Sequence, residues 1–424
     1  MDIISLLFFV AIIVVAFFRK NNIGVLALAA GVIAVRIFGL TDGDLIGSVS
    51  VSLFTTLVGI TLLFSIITNT GALDLLARKI VALAGKRIWM IPILIFIAGF
   101  AIVAVGPGGV PALAIIPPLA VAIAVEVGYN PLMLALIGIS GMSCGRFSPI
   151  TPESSIILNA VSESGFTGNV TPVIWLNVMI TNVILAVIFY IVFKGYKVKA
   201  SDAAAEKKEI EKFSVKQIIA LLSIVAMLAL IIFGGVNIGL AAFLVAAVLL
   251  IFHVADDGAC IKMIPWNTIV MVLGVGALLS IVNKMGGISL LSGGLEKLMN
   301  AATATPIMGV SAGLLSLVSS ALGVVYPTMM PMCVDLGVSI GVNPAALMSS
   351  VAAAGALSGI SPMSTGGALI IAAIAGDKNV NLTKEAENKI FVQLLIIAAV
   401  SLALLVVVSA LLYNPIANLL ASIA

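Results

Sequence analysis

Residues 145–155, Gly-Arg-Phe-Ser-Pro-Ile-Thr-Pro-Glu-Ser-Ser, interrupt a long apolar run where a membrane-spanning helix should continue. Two prolines, an arginine and a glutamate are costly there. Insertion scales put one central charge at roughly 2.5–3.5 kcal/mol, so such residues are rare and by default functional. A break of this kind persists only where it lines an enclosed or water-filled cavity. The chain repeats the device at Gly359-Ile-Ser-Pro-Met-Ser-Thr-Gly-Gly367, 213 positions later. A broken helix occurring once in each half is the sequence pattern of a transporter whose site lies between two repeats.

Composition agrees. The chain is 62% hydrophobic and 9% charged, with mean hydropathy +1.29, far from the balance of a soluble domain. Apolar stretches near 20 residues recur from end to end, which predicts an all-α polytopic protein embedded in the lipid bilayer. A net charge of +3 carries no nucleic-acid signal, because the basic residues follow membrane topology. Cys144, Cys260 and Cys333 lie in or near apolar segments without framework spacing, so no disulfide is expected. The N-terminus lacks a basic n-region and a small-residue cleavage site, and reads as a first spanning helix.

In chain order, spans are predicted at 3–18, 23–40 and 48–70, with an acidic turn at 41–44. An amphipathic interfacial segment follows at 71–87. A re-entrant hairpin over 88–126 turns at Gly106-Pro-Gly-Gly-Val-Pro111, with two full spans as the competing reading. A broken helix over 131–164 and a span over 172–193 complete a first repeat, 1–193. Residues 194–216 mix Lys and Glu without an apolar period and read as a cytoplasmic linker. The second repeat, 217–424, replays the order: spans at 217–234, 236–252 and 264–283, and a short segment at 287–302. A re-entrant hairpin at 306–341, a broken helix at 344–376 and a span at 388–412 follow.

Landmarks hold one offset to within two residues. Ser65, Gly71 and Leu75 match Ser280, Gly286 and Leu290 at 215, and Pro92 and Pro117 match Pro306 and Pro331 at 214. Asn130-Pro131 and Ser148-Pro149 match Asn343-Pro344 and Ser361-Pro362 at 213. That argues for duplication. If Arg19-Lys20 is cytoplasmic, alternation through five spans and one hairpin per half puts nearly all the cations inside. Only Arg36, Arg146, Lys284 and Lys297 of the 21 Lys and Arg residues fall elsewhere, a strong positive-inside bias. Five spans per half, one of them broken, make the two repeats inverted and put both termini outside.

Proline suits the first helical turn, where its missing N–H has no partner anyway. Thr151, Ser364 and Thr365 are apt N-cap residues just ahead of the apolar half-helices. Up to four half-helices therefore begin near the midplane, with free N–H groups and positive dipole ends that favour an anion. Arg146 adds a permanent cation with a fork suited to carboxylate. A small anionic substrate follows, with a dicarboxylate or tricarboxylate the leading class. The candidate binding residues are Gly106, Pro107, Gly108, Gly109, Arg146, Ser148, Pro149, Thr151, Ser154, Ser320, Ser361, Pro362, Ser364, Thr365 and Gly366. Asp335 and Glu153 are the candidates for carrying a coupling ion, H+ or Na+; no organic cofactor is expected, and the place for a sodium ion, the one metal considered, is at the hairpin tips and helix breaks. Arg146 pairing with Glu153 or Asp335 as structural glue is an equal reading, and most individual glycines should be helix contacts.

With a hairpin and a Ser/Thr-Pro break in each half, the chain resembles the ion-transporter superfamily over nearly its whole length. It is similar in particular to divalent anion:sodium symporters and malonate-carrier-like dicarboxylate permeases. The stretches that carry the likeness are Gly106-Pro-Gly-Gly-Val-Pro-Ala112, Gly145-Arg-Phe-Ser-Pro-Ile-Thr-Pro152 and Gly359-Ile-Ser-Pro-Met-Ser-Thr-Gly366. The resemblance implies a homodimer in the inner membrane, an elevator-type movement of hairpins and broken helices, and coupling to sodium or protons. The sodium-coupled members carry Ser-Asn-Thr at each hairpin tip. Here the tips read Pro107-Gly-Gly109 and Ser320-Ala-Leu-Gly323.

A cation/proton antiporter on the same scaffold would need core acids, which Glu153 and Asp335 supply and Arg146 opposes. A membrane subunit of a binding-protein-dependent dicarboxylate system is a further transport reading. An intramembrane protease would need a Ser–His pair or paired aspartates, and the sole histidine, His253, sits at a predicted cytoplasmic edge. A passive channel leaves the matched breaks without a reason.

Overall fold

The computed structural model describes residues 2–19, 21–85, 87–162, 164, 166, 168–198, 211–362, 364–376 and 383–422; residues 199–210 of the expected linker and residues 377–382 lie outside it. The described residues are helical and contain no strand. The first half runs α1 (Asp2–Arg19), α2 (Ile23–Ile37), α3 (Asp42–Gly47), α4 (Val51–Asn69) and α5 (Ala72–Ala82). It continues with a hairpin of α6 (Ile91–Ala104), α7 (Gly109–Leu113) and α8 (Ile116–Val127). The broken pair α9 (Pro131–Gly145) and α10 (Pro152–Ser162) leads to α11 (Thr171–Val192). The second half repeats that order as α12 (Val215–Ile232), α13 (Ile238–Ile251), α14 (Asp257–Met263), α15 (Trp266–Lys284) and α16 (Gly287–Glu296). Then come the hairpin α17 (Ala304–Val318) and α18 (Tyr326–Ile340), the broken pair α19 (Pro344–Leu357) and α20 (Thr365–Gly376), and α21 (Lys384–Val408) with α22 (Asn414–Ala421). Six apolar stretches among the described residues are long enough to cross a membrane, and the chain is a polytopic membrane protein.

Matching residues start matching helices. The Asn22 side chain accepts the Gly24 N–H at the head of α2, and Asn237 accepts that of Gly239 at the head of α13. Gly71 and Gly286 enter α5 and α16 with φ of 72° and 82°, a left-handed backbone that suits glycine. Asn130 caps α9 and Asn343 caps α19, each followed by proline in the first turn.

The sequence reading differs from the structure in three places. The acidic turn at 41–44 opens the short helix α3, built on a capping box in which Thr41 and Asp44 exchange hydrogen bonds. The Thr41 hydroxyl, which donates to Asp44, also holds that carboxyl below the ordinary carboxylate range. Its counterpart α14 starts from an Asp256 cap. Second, α2 and α13 have 15 and 14 residues, so each is about 21–23 Å long, short of a hydrocarbon core of roughly 30 Å. Third, the last span runs on past residue 412: a π-helical turn over Ser409–Tyr413 joins α21 to α22. That turn loosens the backbone ladder, and side chains take up the freed carbonyls. Thr305 donates to Ser409 O at 3.0 Å, Asn177 reaches Tyr413 O at 3.5 Å, and the hydroxyls of Thr181 and Tyr413 meet at 2.6 Å.

The two halves are interlocked. α2 packs along α15, and α13 packs along α4. Each crossing is a pair of glycines, Gly24 against Gly274 and Gly239 against Gly59, so close that a Cβ on any of the four would overlap backbone of the facing helix. At the centre stand α9 and α19, buried over Leu132–Gly145 and Ala345–Leu357. α6, α8 and α11 pack on α9, while α17, α18 and again α11 pack on α19. The crossing repeats at the breaks: α18 of the second hairpin packs on α10, and α8 of the first hairpin packs on α20.

Candidate functional site

At the first break the chain leaves α9 at Gly145 and restarts at Pro152. The fully buried Thr151 holds the loop closed: its hydroxyl lies between the carbonyls of Arg146 and Ser148, at 2.5 and 2.8 Å, and accepts the Ser154 N–H at 3.3 Å. At the second break Ser364 does the same. Its hydroxyl sits between the carbonyls of Gly359 and Ser361, at 2.7 and 2.6 Å, and accepts the Gly367 N–H at 3.3 Å. Both are therefore N-caps, as their sequence context predicts. Their single hydroxyl hydrogen is spent on the loop itself. The side chain of Thr365, the third predicted cap, lies outside what the structure describes.

The first hairpin tip is folded onto this break. Gly106 and Gly108 have φ of 131° and 77° and allow the reversal between α6 and α7. Gly106 sits against the ring of Phe64 on α4, leaving no room for a side chain. The Gly109 N–H donates to Glu153 Oε1 at 2.7 Å, and a Cβ on Gly109 would fall within the Arg146 guanidinium. Arg146 Nε lies 3.7 Å from the same Oε1, an ion pair beyond hydrogen-bond length. Of the two partners weighed for Arg146, the structure selects Glu153. The side chain of Glu153 is only 3% exposed and that of Arg146 16%. Glu153 Oε2 is buried without a hydrogen-bond partner, and a Cβ on Gly108 would lie 2.6 Å from it.

A narrow cavity of about 40 Å³ opens here, room for a water or two. Its walls include Pro107, Gly108 and Gly109 of the first tip, Pro152, Glu153 and Ile156 of α10, Thr61 of α4, Thr268 of α15 and Leu322 of the second tip. Both tips and the first break thus meet at one place. Of the second break, Ser361 and Pro362 are buried, and neither they nor Ser364 and Gly366 line this cavity. Gly366 instead packs on its own loop, where a Cβ would strike the Gly359 carbonyl, with Leu113 of α7 next nearest. Of the remaining candidates at the first break, Ser148 and Ser154 are buried and Pro149 is exposed.

Ser320 caps the second tip, its hydroxyl accepting the Gly323 N–H at 3.2 Å ahead of a π-helical turn over Ala321–Val325. Asp335 is exposed on α18, nine residues beyond Tyr326, about 13 Å along the axis. The sequence reading passed over Tyr326 itself. It is fully buried, donates its hydroxyl to Ala352 O at 3.1 Å, and packs edge-on against Phe147 at 6.2 Å, pinning the second hairpin to the first break. Its place directly before Pro327, three residues past the second hairpin tip, is the available signal. The three cysteines are free and buried.

The family model described as "Citrate transporter" (CitMHS) matches residues 9–354. No curated protein matches the chain. The YdaH transporter of Alcanivorax borkumensis shares the fold at a TM-score of 0.61 and 13% identity, over 87% of this chain and 86% of that one. MtrF of Neisseria gonorrhoeae, described as one of a class of antimetabolite efflux pumps, shares it at 0.60 and 16%, over 91% of this chain and 85% of that one.

Proposed function

Because the chain belongs to the citrate transporter family, and is a transporter of small anions, not an enzyme, we propose that it carries citrate or a related di- or tricarboxylate. The site is the junction of the first break with the two hairpin tips, and transport runs across the cytoplasmic membrane on a proton or sodium gradient. The observation that carries this reading is Arg146. It is a permanent cation, nearly buried, held at a broken helix against a glycine tip whose Gly109 N–H already engages a carboxylate. Arginine beside a backbone N–H is the pairing that recognises a carboxylate with direction as well as charge. The likeness to dicarboxylate permeases supports the same class.

A cavity of about 40 Å³ is far too small for a tricarboxylate, so the tips must part to admit one. In this reading the two halves are inverted repeats, the hairpins and broken helices travel together as an elevator, and two chains form a homodimer. Uptake of labelled citrate and a panel of di- and tricarboxylates into proteoliposomes, with imposed proton or sodium gradients, tests it. Accumulation of at least one carboxylate above the protein-free background is the expected result. Failure of every carboxylate under both gradients would overturn the reading.

A further inference from the structure

Glu153 already does to Arg146 and Gly109 what a substrate carboxylate would have to do. One carboxylate oxygen takes the Gly109 N–H at 2.7 Å and faces Arg146 Nε at 3.7 Å, while the other oxygen is buried with no partner beside Gly108 on the cavity wall. We infer that Glu153 is an internal stand-in for the substrate carboxylate, and that it yields Arg146 and the Gly109 N–H to the substrate when it takes a proton. This rests on the carboxylate-transport reading above and names the residue that carries the coupling proton.

The chemistry is a single proton transfer. A proton from bulk water bonds to the free Oε2, the carboxylate becomes a neutral acid, and no other covalent bond changes. Arg146 then lacks a counter-ion, and an anion entering the parted tips supplies one. With Glu153 ionised, the same anion would meet a buried negative charge in contact with its binding groups. A sodium ion at Oε2 is disfavoured by the guanidinium that already faces the same carboxylate.

The surroundings leave few other groups to do this. From α18 the buried Tyr326 lies within electrostatic reach of both Arg146 and Glu153. Further along α18, Cys333 donates to Met329 O and Asp335 is exposed. α4 and the tip at 106–109 carry no titratable side chain, and Lys284 at the end of α15 faces Asp44 at 3.6 Å.

Citrate affinity of the purified protein, measured across pH, is the test, with Glu153→Gln alongside. Substrate titration is common to both proteins, so their difference isolates Glu153. Wild-type affinity should fall by up to about tenfold per pH unit relative to Glu153→Gln wherever Glu153 is ionised, one proton being taken up with each anion. Under an imposed proton gradient the wild type should accumulate citrate and Glu153→Gln should not. Should that variant not fold, proton uptake on citrate binding by the wild type above about pH 8, where free carboxylates are ionised, is read instead. Near one proton per anion supports the inference, and none overturns it. An equal pH slope in the two proteins, or uphill uptake by Glu153→Gln, overturns it while leaving carboxylate transport standing. Absence of exchange of every carboxylate in the panel by the wild type removes both.

Discussion

In the first break Arg146 and Glu153 face each other across the loop, whereas 213 positions later the same two places hold Gly359 and Gly366. What lies between them shares a Ser-Pro pair and a hydroxyl cap. Thr151 and Ser364 cap the following helix and bind the carbonyls three and five residues back, and a Ser-Pro pair precedes each. One loop is closed by a cation and a carboxylate, the other by the absence of side chains, Gly366 lying against the Gly359 carbonyl. The frame is common property of both copies and the charge belongs to one. A feature present in both is there to make the break; a feature present in one is there to use it.

The largest effect should come from removing charge from one side only. Arg146→Leu leaves the Glu153 carboxylate buried and uncompensated, at a cost of about 3–5 kcal/mol. Thermal unfolding in detergent should show it as a large loss of stability. The double change Arg146→Gly with Glu153→Gly, which gives the first break the residues of the second, should recover most of that loss and still abolish uptake. Recovery of transport by the double variant would mean the charges are only glue. A middle effect is expected in the second break. Gly366→Ala puts a methyl into the Gly359 carbonyl and should cost about 1–3 kcal/mol, whereas Gly359→Ala, whose Cβ meets nothing, should be nearly silent. Smallest and most equal are the caps: Thr151→Ala and Ser364→Ala should each cost about 0.5–2 kcal/mol, with Thr151→Ser and Ser364→Thr close to wild type. A stability loss at one cap and none at the other would undo the common frame.

Much of this was legible because proline, asparagine and glycine state their backbone demands locally. Asn130-Pro131 and Asn343-Pro344 begin helices, Gly71 and Gly286 sit at left-handed entries, and the Ser-Pro pairs mark the breaks. Thr41 and Asp44 carried an equally local signal for α3 that a reading for long apolar spans passed over. The pairing of Arg146 with Glu153, and not with Asp335, was not local. It depends on a six-residue loop bringing two ends together and on which face α18 turns outward. Nor does any sequence pattern say that Gly24 meets Gly274, or that Tyr326 packs on Phe147, because contact across some 180–250 residues leaves no period to read.

The glycine crossings also bear on how the chain is made. Gly24 and Gly59 have their partners at Gly274 and Gly239, so the surfaces of α2 and α4 stay unmatched until the second half has been synthesised. At roughly 5–20 residues per second, translation leaves the first half waiting about 10–40 s in the bilayer. During that interval it is an incomplete object with two grooves shaped for helices that do not yet exist.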